Sequence, residues 1–92
     1  MNLMKAILTV IGKDQVGIIA GISSELQKLN INILDVTQTI MQGYFTMIMM
    51  LDLSKISCDF DEVKKTLLEK GQSLGVDVKI QREEIFNSMH TL

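Results

Sequence analysis

The sequence has no proline, no tryptophan, one cysteine and one histidine. A single cysteine, Cys58, excludes an internal disulfide and any cysteine cluster for zinc. His90 lies near the C-terminus, too isolated for a metal site and without an evident partner for general-base work. No excess of one charge is present either. Nine basic residues stand against eleven acidic ones, for a net charge of -2, and no basic block could track phosphates. Direct nucleic-acid binding is therefore not expected. Apolar runs such as Ile48 to Leu51 are far too short to span a bilayer, and no signal peptide is visible. The expected location is the cytoplasm, with no membrane partner.

What remains is a globular composition, 47% hydrophobic and 22% charged over 92 residues. That length suits one compact domain, in which folding would remove only about 60–65% of the unfolded chain's surface from water. So thin a core leaves little margin, and an additional apolar surface would be stabilised most readily by a partner.

The apolar pattern changes period along the chain. Residues 3–12 mix β-branched and apolar side chains up to Gly12 and read as a strand. From Gly17 to Asn30 the period is helical: Ile18, Ile22, Leu26 and Leu29 share one face, and Asn30 marks the end. Residues 31–41 and 44–53 return to strand character around Gln42–Gly43 and predict a hairpin. Asp59 followed by Glu62 resembles a capping box for a second helix with Phe60, Val63, Leu67 and Leu74 as its stripe. Gly75 can end that helix, while Gly71 interrupts it at a cost of about 1 kcal/mol, which predicts loose last turns. Residues 76–82 alternate as a half-buried strand, and Ile85, Phe86, Met89 and Leu92 give the tail 83–92 a helical apolar spacing.

The order βαββαβ predicts an α+β, ferredoxin-like domain. Its four-stranded antiparallel sheet carries two helices on one face, with a core at about 4–82 and a short C-terminal helical tail. Phe45, Met47, Met49 and Leu51 of the third strand point one way, and Tyr44, Ile48 and Met50 the other. The first strand does the same with Ala6, Leu8 and Val10 against Leu3, Ile7 and Ile11. Strands apolar on both faces need both faces covered. Helices supply one cover, and the tail or a second chain must supply the other; a homodimer is expected.

The stretch G-K-D-Q-V-G-I-I-A-G-I-S (12–23) places glycines at a helix entrance. A phosphate-binding P-loop needs GxxxxGK[ST], and Gly12 and Gly17 have that separation. Ile18 and Ile19, however, occupy the lysine and hydroxyl positions, and Lys13 precedes the second glycine. The dinucleotide pattern GxGxxG is absent too. What the stretch does offer is a helix start whose free amides favour a carboxylate, with Asp14 nearby to hold an ammonium. Free amino acids carry both groups. Equally, Gly17 could serve packing and Asp14 could simply cap the helix.

Other reactive residues have simpler readings. Ser23 and Ser24 lie within the helix and lack a nucleophile-elbow pattern, and no motif surrounds Cys58. Asp59, Asp61 and Glu62 suit a helix start, where the dipole favours negative charge. The seven methionines suit core and interface. No catalytic activity, metal or other cofactor is expected.

The residues G-K-D-Q-V-G-I-I-A-G-I-S-S-E-L followed by L-N-I-N-I-L-D resemble the signature of ACT domains, small regulatory modules that commonly bind amino acids. The family pattern is an apolar strand, then D-x-P-G-[ILV], a helix, and N-I near the next strand. Val16 stands where proline is frequent, which implies a less rigid loop. The resemblance covers residues 4 to 82 and is strongest to stand-alone bacterial and archaeal ACT-domain proteins, related to the ACT domains of the glycine-cleavage transcriptional regulator. It implies a ligand site at Gly12, Asp14, Gly17, Ile18, Ile19 and Asn32. A helix of about thirteen residues, roughly 20 Å long, separates Asp14 from Asn32. One chain therefore cannot close both on a small amino acid, whereas two chains related by a two-fold axis can. Two functional classes follow: a homodimeric amino-acid sensor acting on an enzyme or regulator partner, or a protein–protein interaction module or transcriptional co-regulator without a working ligand site.

Overall fold

The computed structural model describes residues 4–13 and 17–83. Strand β1 (Lys5–Lys13) leads to helix α1 (Ile18–Lys28), followed by strands β2 (Asn32–Met41) and β3 (Tyr44–Asp52), helix α2 (Phe60–Leu74) and strand β4 (Asp77–Arg82). The strands form one antiparallel sheet in the order β2-β3-β1-β4. This is the ferredoxin-like arrangement that the element order predicts. The tail stripe Ile85, Phe86, Met89 and Leu92, together with His90, Leu3, Asp14 and Val16, lies outside the described residues.

Alternation in the central strands makes the core. Ala6, Leu8 and Val10 of β1 and Phe45, Met47, Met49 and Leu51 of β3 are buried on the helical side, against Ile18, Ile22 and Leu26 of α1 and Val63 and Leu67 of α2. Burying each such side chain contributes about 1.5–3 kcal/mol before entropy is subtracted. The opposite sheet face is mixed. Ile7 is buried there, whereas Ile11 and Ile48 are each 42% exposed and Tyr44 52%.

Local chemistry sets the boundaries. α1 ends where Asn30 turns into the left-handed region (φ 61°), with its amide donating to Gln27 and that of Ile31 donating to Leu26. Gln42 and Gly43 both have positive φ, as a two-residue type I′ hairpin requires. At α2, Asp59 Oδ1 accepts the Glu62 amide at 2.9 Å. Gly75 (φ 75°) closes the other end, where the Val76 amide donates to the Gly71 carbonyl.

One expectation needs correction. α2 runs unbroken through Gly71 to Leu74, and Gly71 is buried. A Cβ at that position would come within 2.4 Å of Val78 Cγ2, so the glycine lets α2 lie directly on β4 and is not a loose point. In β2 the pairing register slips between Ile33 and Asp35 and leaves Leu34 as a bulge. The alternation of β2 alone does not reveal it.

Candidate functional site

The three glycines of residues 12–21 do different jobs. Gly12 closes β1 beside Val76, where a Cβ would meet Val76 Cγ1 at 2.5 Å. Gly21 lets α1 approach α2, since a Cβ there would lie 3.0 Å from Leu74 Cδ1. Gly17 alone is there for its backbone. It sits in the left-handed region (φ 96°) with nothing within 4 Å of a Cβ position, and it opens α1 without a side-chain cap. Its carbonyl accepts the Gly21 amide at 2.8 Å. The amides of Ile18 and Ile19 are among the first of the helix and have no partner within it. Among the described residues nothing else caps them.

The side chains at this helix start diverge. Ile18 enters the core at 2% exposure, while Ile19 is 41% exposed. Ile19 lies about 200° around the helix from Gly21, on the flank away from α2. The edge strand β2 carries further apolar exposure: Ile33 and Val36 at 38% each, and Ile40 at 62%. Ile33, Val36 and Ile40 pair with Leu51, Met49 and Phe45, which puts them on the helical side of the sheet.

Asn32 lies at the other end of the molecule. The ladder aligns it with Asp52 and, one strand further, with Lys5, whereas Gly12 aligns with Phe45 and Ile40. Seven residues of β1 separate those rows, about 24 Å at ~3.4 Å per residue. The structure thus brings Gly12 and the start of α1 to one end and Asn32 to the other. Asp52 beside Asn32 accepts the Ser54 amide at 2.9 Å. That bond, then the Ser54 side chain, holds its carboxyl below the ordinary aspartate value.

At the Gly12 end the fold assembles side chains that the motif does not include. An open groove of about 450 Å³ runs between the end of β1, the start of β3 and the turn from α2 into β4. Gly12, Gly75 and Val76 line it together with Lys13, Tyr44, Gln72 and Asp77. Hairpin register brings Tyr44 opposite Lys13, and the β1–β4 pairing brings Asp77 opposite Ile11. The hairpin was readable in the sequence, but Gln72 and Asp77 join the groove only once β4 is placed beside β1. Among the described residues, no three His, Cys, Asp or Glu side chains gather as a metal cluster, and no helix is long and apolar enough to cross a membrane.

The family model described as ACT domain matches residues 5–81. This chain belongs to the ACT domain family. The likeness extends to whole stand-alone proteins: a UPF0237 protein of Listeria monocytogenes is 65% identical over 89 residues, covering 97% of this chain and 100% of that relative. An ACT domain protein from Streptococcus pneumoniae superposes with a TM-score of 0.82 at 42% identity, over 92% of this chain and 96% of that one. A structure assigned to a glycine cleavage system transcriptional repressor shares the fold, with a TM-score of 0.76 at 22% identity. It aligns over 89% of this chain and 47% of its own. ACT domains commonly serve as regulatory, ligand-binding modules. In this ACT domain the apolar strand, the glycine turn into α1 and the asparagine at the start of β2 all stand where the motif predicts them.

Proposed function

We propose that this ACT protein is a regulatory sensor that binds an amino acid or a related small metabolite between the subunits of a homodimer and passes its state to an enzyme or regulator partner. The observation that carries the reading is the start of α1 at Gly17, uncapped among the described residues, with the Ile18 and Ile19 amides a few residues after Asp14 in the sequence. Such a start favours a carboxylate, and Asp14 complements an ammonium. Asn32, the remaining motif residue, sits about seven strand residues away, so it serves the same ligand only from a second chain. A two-fold axis that sets the start of one α1 against the start of the partner's β2 completes two equal sites. The exposed apolar edge of β2 supplies contact area for that arrangement.

A thermal-shift screen of the twenty amino acids tests this. A specific ligand at 100-fold above its Kd adds about 2.7 kcal/mol to stability and raises the melting temperature, and Asp14→Ala removes the rise. If none of the twenty moves the transition, the amino-acid reading is lost and the interaction-module reading stands in its place.

A further inference from the structure

We infer that residues 84–92 fold back over the sheet face of their own chain that lies away from α1 and α2, cover it around Ile7, and so close that face to a second copy. Neither the helix start at Gly17 nor a ligand takes part in this contact.

Burial on that face is uneven. Both helices pack on the other side of the sheet, yet Ile7 is only 6% exposed, against 42% for Ile11 further along the same strand and 42% for Ile48. Met50 and Gln81, which flank Ile7 on β3 and β4, are half-buried, and so are Lys5 and Asp52 in the next row. At the opposite end of the face, Lys13, Tyr44 and Asp77 are exposed. A sheet face with nothing on it stays open to water along its whole length. A buried patch confined to one end needs a cover at that end, and α1 and α2 do not supply it.

The chain leaves β4 beside that patch. Arg82, the last residue of β4, pairs with Ala6, next to Ile7, and Glu83 is already helical and half-buried. The helical side of the sheet is taken at this point, because the Arg82 guanidinium lies 5.0 Å from the centre of the Phe60 ring of α2. The open face is the direction left. Residues 84–92 match what it needs: as a helix they place Ile85, Phe86, Met89 and Leu92 within about 120° of arc, one continuous apolar stripe. Such a helix is about 14 Å long at ~1.5 Å per residue. Strands stand ~4.8 Å apart, so it reaches from β4 across β1 and β3, the strands that carry Ile7 and Met50. Toward β2 the apolar floor continues with Ile48 in a hollow of about 150 Å³, which leaves room for the far end of the stripe.

Nuclear Overhauser spectra of the full chain with labelled isoleucine methyls test this. Cross-peaks from the Phe86 ring to the Ile7 methyls are expected in a uniformly prepared sample. They should be missing from an isotope-filtered spectrum of mixed labelled and unlabelled chains, which shows contacts between copies only. Phe86→Glu and Met89→Glu should each raise the relaxation of the Ile7 methyls by a soluble gadolinium chelate several-fold. Asn87→Glu, on the far side of the segment from the stripe, should leave that relaxation unchanged. All three variants keep the core intact, since it lies on the other side of the sheet. The proposal is overturned if Ile85, Phe86 and Met89 give no cross-peak to Ile7, or if Asn87→Glu exposes Ile7 as much as Phe86→Glu does. Cross-peaks in the filtered spectrum would overturn it too, because the cover would then come from a second copy.

Discussion

Gly71 illustrates how a residue's meaning depends on what faces it. In isolation it weakens a helix by about 1 kcal/mol relative to alanine, and replacing it would be expected to stabilise α2. In the fold, a Cβ at that position would lie 2.4 Å from Val78 Cγ2 and 3.2 Å from the Val76 carbonyl oxygen. Overpacking of this kind costs about 1–3 kcal/mol, which offsets the gain in helix propensity or exceeds it. Gly71→Ala should therefore lower the urea midpoint, by up to about 2 kcal/mol in stability. A raised midpoint would mean that α2 moves off β4 freely and that the contact is soft. Gly17 is the opposite case. Nothing crowds it, but its φ of 96° strains any other residue.

Elements with their own boundary signals were legible in the sequence. Asp59 was readable as the cap of α2, Asn30 as the end of α1, and Gln42–Gly43 as the hairpin turn, because each acts through its immediate neighbours. The bulge at Leu34 was not, since it exists only in the register between β2 and β3. β2 is also the element on which the proposed assembly depends. It is an edge strand without proline or lysine and with a single charge, Asp35, so it lacks the usual protection of an edge. Ile40, 62% exposed on its helical side, is the most open of its described apolar side chains. Ile40→Lys should raise the dimer dissociation constant by about tenfold or more in sedimentation, as loss of one buried isoleucine does. The melting temperature of the dilute monomer should stay close to wild type, since an exposed substitution changes stability by only about 0.5 kcal/mol. An unchanged dissociation constant would take the helical side of β2 out of the interface.

At the scale of the whole molecule, periodicity and element order were enough to predict the sheet, the two helices and the buried face. The separation of the helix start from Asn32 was legible too, from the length of α1, whereas the groove at the end of β1 was not. Gly12, the start of α1 and Asn32 are near in sequence and far apart in space, while Tyr44, Gln72 and Asp77 are distant in sequence and meet at one groove. The separation of about 24 Å along β1 is what makes the sensor reading a statement about two chains. It can be tested by complementation. Asp14→Ala and Asn32→Ala proteins, each deficient in binding alone, are mixed in equal amounts, equilibrated, and titrated calorimetrically with the amino acid found by the thermal screen. In a two-fold dimer every mixed dimer holds one intact site and one site lacking both residues. Half of the dimers are mixed at random assortment, so roughly a quarter of the wild-type number of sites should return with wild-type affinity. If no sites return although mass spectrometry shows the mixed dimer, Asp14 and Asn32 do not share a ligand across the interface.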